Sequence, residues 1–395
     1  MPKAIIFLAD GMADEPLEEL NGLTPLEAVN TPGMDAIAAA GASGTFLTLP
    51  DGLPTSSDVA NMSVLGFQPE LNYPGRGPIE AVSQGIELKE HDFAWRCNLV
   101  TVQPDGVLSD YSAGHIDTAL AAEIMAALQN EFGSDKVTFH SGVSYRNSLT
   151  LHGAEFSAQI DYHKPDSSQG IHISELGLTA LTPEAEPTVR FLNKLSSNVH
   201  NFLITNYPKS GATNIWPWSP GNRPELTAFS KLYKGRSGAI VSAVDVVKGI
   251  GYCTGMEVIE VPGATGFIDT NYAGKAAATL EALKHHDLVY LHVEAIDECS
   301  HMGDLKLKMQ AIADFDAKIV IPVMKKLQGQ DVRFAILPDH PVPIRLRQHT
   351  TTPVPVAVCG PGIEPDELLT YSENTAPLGR LGLMKSTELV DLLLK

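Results

Sequence analysis

The sequence predicts an α/β fold: a mainly parallel sheet with helices on both faces, plus a smaller inserted α+β domain. Three observations carry that expectation. Apolar, β-branched runs alternate with segments of helical periodicity over most of the chain, the pattern of strands joined by crossover helices. Three of the runs stop at an aspartate: Asp10, Asp297 and Asp339. Between residues 73 and 221 the alternation lapses, and the composition of the chain changes.

Residues 3–8 are an apolar run closing on Ala9-Asp10-Gly11-Met12, a strand that ends in a carboxylate and a turn glycine. Taken singly, this is an Asp-Gly turn. Residues 31–41 read as a capped helix with Pro32 early and Gly41 at its stop, and 44–49 as a strand. In 53–67, hydroxyls stand just ahead of a helical pattern, where a helix N-terminus offers free backbone N–H groups to an anion. Ser57 or Asp58 fits an N-cap there. Ser57 also fits a nucleophile whose phosphorylated form those N–H groups would hold.

The change of character begins at Tyr73-Pro74-Gly75-Arg76-Gly77-Pro78. Residues 94–102 read as a strand, 118–132 as a helix, 136–140 and 147–152 as short strands, 156–170 as polar and irregular, and 187–203 as a helix. This third carries Arg76, Arg96, His115, Arg146 and His163. Pro- and Gly-rich edges, near 73–78 and at Trp216-Pro217-Trp218-Ser219-Pro220-Gly221, mark it as a separate domain. Trp216 and Trp218 read as hinge or core packing. The expected organisation is a discontinuous domain of residues 1–75 and 222–395, and an insert of 76–221. After the insert, strands are expected at 238–243, 257–261, 288–293, 332–337 and 354–358, and helices at 244–250, 273–286, 305–327 and 386–394.

A chain of 395 residues has ample core for two domains. No apolar run is long enough to span a membrane, and the N-terminus lacks a signal-peptide layout. Cys97, Cys253, Cys299 and Cys359 show no CxxC pairing, which suits a reducing cytoplasm. A formal charge of −19 argues against nucleic acid. It leaves room for a small anionic substrate, because local arginines and a metal reverse the sign inside a cleft. Oligomeric state is not legible.

The three carboxylate-bearing strand ends form the candidate site. Asp297 and His301 are four residues apart, so a helix after the strand places them on one face. Asp339 is followed by His340, and the next loop adds His349. A parallel sheet aligns the carboxyl ends of its strands along one edge. Asp10, Asp297, His301, Asp339, His340 and His349 are about the donor set that two divalent ions require once a nucleophile or substrate oxygen joins them. Carboxylate and imidazole donors without thiolates suit Mn²⁺ best, with Mg²⁺ and Zn²⁺ as alternatives.

Nearly end to end, the chain resembles the archaeal-type, cofactor-independent phosphoglycerate mutases of the alkaline phosphatase superfamily and their bacterial relatives. The resemblance rests on Leu8-Ala9-Asp10-Gly11-Met12, Thr24-Pro25-Leu26-Glu27-Ala28, Ser57-Asp58-Val59-Ala60, Tyr73-Pro74-Gly75-Arg76-Gly77-Pro78 and Ile215-Trp216-Pro217-Trp218. It continues through Ser242-Ala243-Val244-Asp245, Val261-Pro262-Gly263-Ala264-Thr265-Gly266, His292-Val293-Glu294-Ala295 and Leu337-Pro338-Asp339-His340-Pro341. It implies an alkaline-phosphatase-like core and Ser57 as the phosphoryl-accepting serine. One metal would be held by Asp10, Ser57, Asp339 and His340, the other by Asp297, His301 and His349. The insert would close over a small phosphorylated substrate, with His115 of Asp110-Tyr111-Ser112-Ala113-Gly114-His115 as a substrate contact. Arg146 and Arg223 are further candidates for a carboxylate and phosphate clamp, and each also fits a solvated surface charge.

This chain departs from the family pattern at Asn61, where His is frequent, at Arg236, and at Tyr162-His163-Lys164-Pro165-Asp166. The implied reaction interconverts 3-phosphoglycerate and 2-phosphoglycerate through a phosphoserine, without bisphosphoglycerate. A related phosphotransferase or phosphomonoesterase, such as a homoserine kinase-like enzyme, is the alternative. The absence of a Walker A or kinase glycine loop weighs against ATP use. A metal-stabilised binding protein without catalysis is the other, and Ser57 beside a full ligand set speaks against it.

Overall fold

The computed structural model describes residues 2–395. The chain forms two compact units, one running to Tyr73 and resuming at Leu226, the other spanning Pro74–Glu225.

The first unit is built on an eight-stranded sheet. Its order is Glu257–Ile259, Gly238–Val241, Leu288–Val293, Lys3–Ala9, Val332–Leu337, Val354–Cys359, Gly41–Leu47 and Gly382–Lys385. Only Val354–Cys359 runs against the rest, antiparallel to both neighbours. Every residue of Leu288–Val293 and of Val332–Leu337 is buried. Their near-continuous apolar character is that of strands covered on both faces. Helices Pro32–Ala39, Tyr272–His285 and Leu305–Phe315 contribute Met34, Ile37, Tyr272, Ala276, Ile312 and Phe315 to the core cluster on one side.

Sequence and structure part at several elements. The long helix expected over 305–327 is interrupted by a π-helical turn, Asp316–Val320, ahead of Ile321–Lys326. Pro322 cannot donate to the helical ladder, and the Asp316 carboxylate accepts from Gly33 N and Met34 N at 3.0 and 2.7 Å. The turn therefore puts that carboxylate on the N-terminus of Pro32–Ala39, where it is favoured by the helix dipole. Gly382–Lys385 is a strand absent from the sequence expectation.

The second unit carries a five-stranded antiparallel sheet: Leu108–Asp110, Asp92–Val102, Arg146–His152 and Val137–Val143, with Asn214–Asn222 on the free side of Asp92–Val102. Helices Thr118–Phe132 and Glu186–Asn206 cover one face through Ile124, Leu128, Leu192 and Val199, packed on Trp95, Cys97 and Leu149. The segment Trp216 to Gly221, read from its prolines and glycine as a domain edge, lies inside a strand. It is an edge strand, the position where proline is tolerated because one row of N–H groups needs no partner. The second crossing between units falls after Glu225.

Candidate active site

Lys3–Ala9 lies between Leu288–Val293 and Val332–Leu337, parallel to both, so Asp10, Asp297 and Asp339 leave three adjacent strands at the same edge. Asp10 N donates to Val293 O at 3.0 Å, extending the ladder by one residue. Gly11 follows with φ +66°, and a Cβ there would stand 2.7 Å from Asp297 Cα. Only glycine lets the loop turn away and also lets the Asp297 backbone come that close. Asp297 and His301 lie on the helix Ala295–Met302, their Nε2 and Oδ2 atoms 3.4 Å apart.

Two clusters result. Asp10, Asp339 and His340 present ligand atoms within 4.8 Å of one another, and so do Asp297, His301 and His349. His340 Nε2 is 3.2 Å from Asp339 Oδ2 and 3.5 Å from Asp10 Oδ1. Ser57 Oγ is 3.1 Å from the same nitrogen. Ser57 is the first residue of the helix Ser57–Val64. The N-cap is Ser56, which makes no side-chain capping bond, and Asp58 accepts instead from Tyr73 OH. Neither Ser57 nor Asp58 is the cap that the sequence suggested. In the second cluster, His349 Nε2 lies 3.6 Å from Asp297 Oδ1 and 2.9 Å from His301 Nε2. The rings of His340 and His349 stack with centroids 3.7 Å apart, joining the clusters.

Burial and mutual charge set the electrostatics of the two clusters. Burial, followed by the charges of Asp339 and Asp297, raises the Asp10 carboxyl well above its ordinary range. Asp339 is pushed up to about 7, chiefly by burial. Burial acts on Asp297 in the same direction, yet the His301 hydrogen bond and the His349 and His301 charges hold it below the usual range. Burial opposes protonation of His301, but the Asp297 hydrogen bond and charge raise it to about 9. Asp10 Oδ1, Asp297 Oδ1 and His340 Nδ1 are buried without a hydrogen-bond partner. Buried acceptors in this state are costly. The donor set, Asp and His with hydroxyl but no thiolate, fits hard or borderline divalent ions.

Four residues outside the predicted set, His292, Ser242, Asn61 and Tyr290, hold it in place. His292 Nε2 sits 2.9 Å from Asp10 Oδ2 and its Nδ1 3.1 Å from Ser242 Oγ. Burial drives the imidazole down to about 3, so it is neutral. Ser242 Oγ also accepts from Val244 N; because the Asp10 carboxylate accepts, the neutral ring places its proton on Nε2 and Nδ1 accepts from the Ser242 hydroxyl, while Asp10 Oδ1 stays without a partner. Asn61 Nδ2 donates to Ser57 O at 2.7 Å and Asp339 Oδ2 at 3.0 Å, while its Oδ1 accepts from Tyr290 OH. The signal for His292 and Tyr290 is a polar group inside an apolar strand, which burial obliges to find a partner.

His115, Arg146 and Arg223 belong to the second unit. The His115 ring is 6.2 Å from that of Tyr145, and Arg146 Cζ 5.3 Å from the same ring. Arg223 is exposed just beyond the strand Asn214–Asn222. The structure does not group it with the other two. Sequence reasoning left Arg76 and Arg96 without a role. Glu80 binds both, each Nε 2.7 Å from a carboxylate oxygen. Arg96 also stacks over Trp218 at 4.2 Å. Burial raises the Glu80 carboxyl, but Arg96, Arg76 and Arg146 together lower it.

Several known proteins similar to this chain share one family name. Residues 38–207 match the family described as 2,3-bisphosphoglycerate-independent phosphoglycerate mutase. A protein of that name from Methanosarcina acetivorans is 43% identical over 100% of both chains. A Pyrococcus horikoshii protein structure superposes with a TM-score of 0.83 at 26% identity, over 99% of this chain and 96% of that one. The cofactor-independent phosphoglycerate mutase of Thermoplasma acidophilum does so with a TM-score of 0.67 at 25% identity, over 100% and 99%. With full-length identity at this level, the chain belongs to the family of 2,3-bisphosphoglycerate-independent phosphoglycerate mutases.

Proposed function

We propose that this chain interconverts 3-phosphoglycerate and 2-phosphoglycerate through a phosphoserine at Ser57, with two divalent ions as its cofactors. The observation that carries the reading is the place of the Ser57 hydroxyl, 3.1 Å from His340 Nε2 at the rim of one donor cluster, with the second cluster stacked against it. Asp10, Ser57, Asp339 and His340 would hold one ion and Asp297, His301 and His349 the other. Bound there, divalent ions supply Lewis acidity, lowering the pKa of a coordinated hydroxyl and neutralising charge on a transferring phosphoryl group. Mn²⁺ suits these donors best.

The residues of the chain do the rest. The Ser57 oxygen bonds to phosphorus, the bond from phosphorus to the glycerate oxygen breaks, and the serine proton ends on that oxygen, with glycerate held in the site. Ser57 returns the phosphoryl group to the other glycerate hydroxyl. The Ser57–Val64 helix directs its N-terminal N–H groups toward the site of the phosphorylated side chain. His115 and Arg146, with Arg223, are assigned to substrate carboxylate and phosphate, and the Pro74–Glu225 unit to excluding water, which separates a mutase from a phosphatase. The four cysteines are free thiols, which suits the cytoplasm.

Incubating the protein with 3-phosphoglycerate and Mn²⁺ tests the reading. Mutase activity yields 2-phosphoglycerate. Free phosphate, or no product, would assign the same core to a phosphomonoesterase or to another phosphotransferase.

A further inference from the structure

A buried ion pair outside both clusters bonds two of the segments that carry the site and sits on the helix that follows the third. Lys308 Nζ donates to Asp14 Oδ2 at 2.7 Å and to Val342 O at 2.9 Å, and both charged side chains are fully buried. Asp14 Oδ2 also accepts from Ile344 N at 3.0 Å. Asp14 N donates to Glu373 Oε1 at 3.0 Å.

Each partner leads to a different part of the centre. Asp14 lies in the loop that runs from Asp10 to the short helix Glu18–Leu20, and Ala13 O accepts from Val342 N at 3.1 Å. Val342 and Ile344 lie in the loop from Asp339 and His340 to His349, and Thr350 N closes it on Pro341 O at 3.0 Å. Lys308 is on the helix Leu305–Phe315, which follows the Asp297 and His301 helix after the left-handed Gly303.

Stability alone does not account for such a pair. Desolvating an ammonium and a carboxylate offsets much of their attraction, and apolar side chains of similar volume commonly do as well. What an apolar pair cannot do is bond Val342 O and Ile344 N in a defined direction.

We infer that Lys308 and Asp14 are positioning residues, tying the Asp10, Asp297/His301 and Asp339–His349 segments into one rigid frame. The inference rests on the two-ion reading only for its effect on metal affinity. Its effect on the frame stands independently.

The experiment compares the full chain with Lys308→Met and Lys308→Met/Asp14→Leu. Mn²⁺ binding is followed by calorimetry, and amide hydrogen exchange at Val342 and Thr350 is measured without added ion. Lys308→Met is expected to lose about tenfold or more in Mn²⁺ affinity at both sites, as supporting residues of metal centres commonly do when changed. Exchange at both amides rises. The double variant, with an apolar pair, regains melting temperature but neither affinity nor protection. Its return to unaltered affinity and protection would overturn the inference, making the pair a core filler. It decides the matter alone if Lys308→Met does not fold. Failure of the unaltered chain to bind Mn²⁺ would sink the two-ion reading, while the exchange comparison would still judge the tie.

Discussion

The Nε2 atoms of His301 and His349 face each other at 2.9 Å, with the Asp297 carboxylate beside them. Two imidazole nitrogens at that distance need a shared proton or a shared cation between them. His301 Nδ1 is 2.9 Å from Arg347 O. A proton on Nδ1 donated to that carbonyl turns the Nε2 lone pair toward its partner.

His349→Ala or His301→Ala removes a donor from one cluster only, so Mn²⁺ stoichiometry by calorimetry should fall from two ions to one. Retention of two ions with unaltered affinity would exclude these histidines as ligands.

Asn61 ties the backbone of Ser57 to the Asp339 carboxylate, donating hydrogen bonds from one amide nitrogen to Ser57 O and Asp339 Oδ2. Asn61→Ala leaves both oxygens without that donor. It should lower kcat by about 10–100-fold, the range for groups that orient a first ligand shell. Tyr290→Phe, which removes one donor from Asn61 Oδ1, should cost less. Steady-state kinetics at saturating Mn²⁺ checks both, and an unchanged kcat in Asn61→Ala would contradict the role.

Lys275 gives a pH signature unconnected with turnover. It is 1% exposed and donates to His292 O at 3.2 Å. Burial pushes its ammonium from 10.5 down to about 8, against the pull of Glu294. Below pH 8 the lysine is protonated in both folded and unfolded states, and the full cost of burying the charge applies. Between pH 8 and 10.5 the unfolded chain holds more protons, so stability from this group rises with pH. A shift of this size corresponds to about 3 kcal/mol at full effect. Lys275→Met should abolish that rise, and denaturant melts at pH 7.5 and 10 measure it.

The parts legible in sequence were those set by local pattern. Residues 332–337 and 118–132 are the strand and the helix their periodicity indicates. Asp10, Asp297 and Asp339 meet because a parallel sheet leaves their strands no other edge. What stayed hidden depends on tertiary partners. Nothing in Val354–Cys359 announces that it runs antiparallel between two strands. The prolines of Asn214–Asn222 mimic a linker until its edge position is known. Arg96 and His292 are buried ionisable residues within largely apolar strands. Their partners, Glu80 and Asp10, are 16 and 282 positions away.

The most direct measurement is mass spectrometry of protein quenched in acid during turnover with 3-phosphoglycerate and Mn²⁺. The account predicts one phosphoryl group on the peptide containing Ser57, absent from Ser57→Ala, which still binds two ions. Turnover by Ser57→Ala, or a phosphoryl group carried on any other residue, would contradict it.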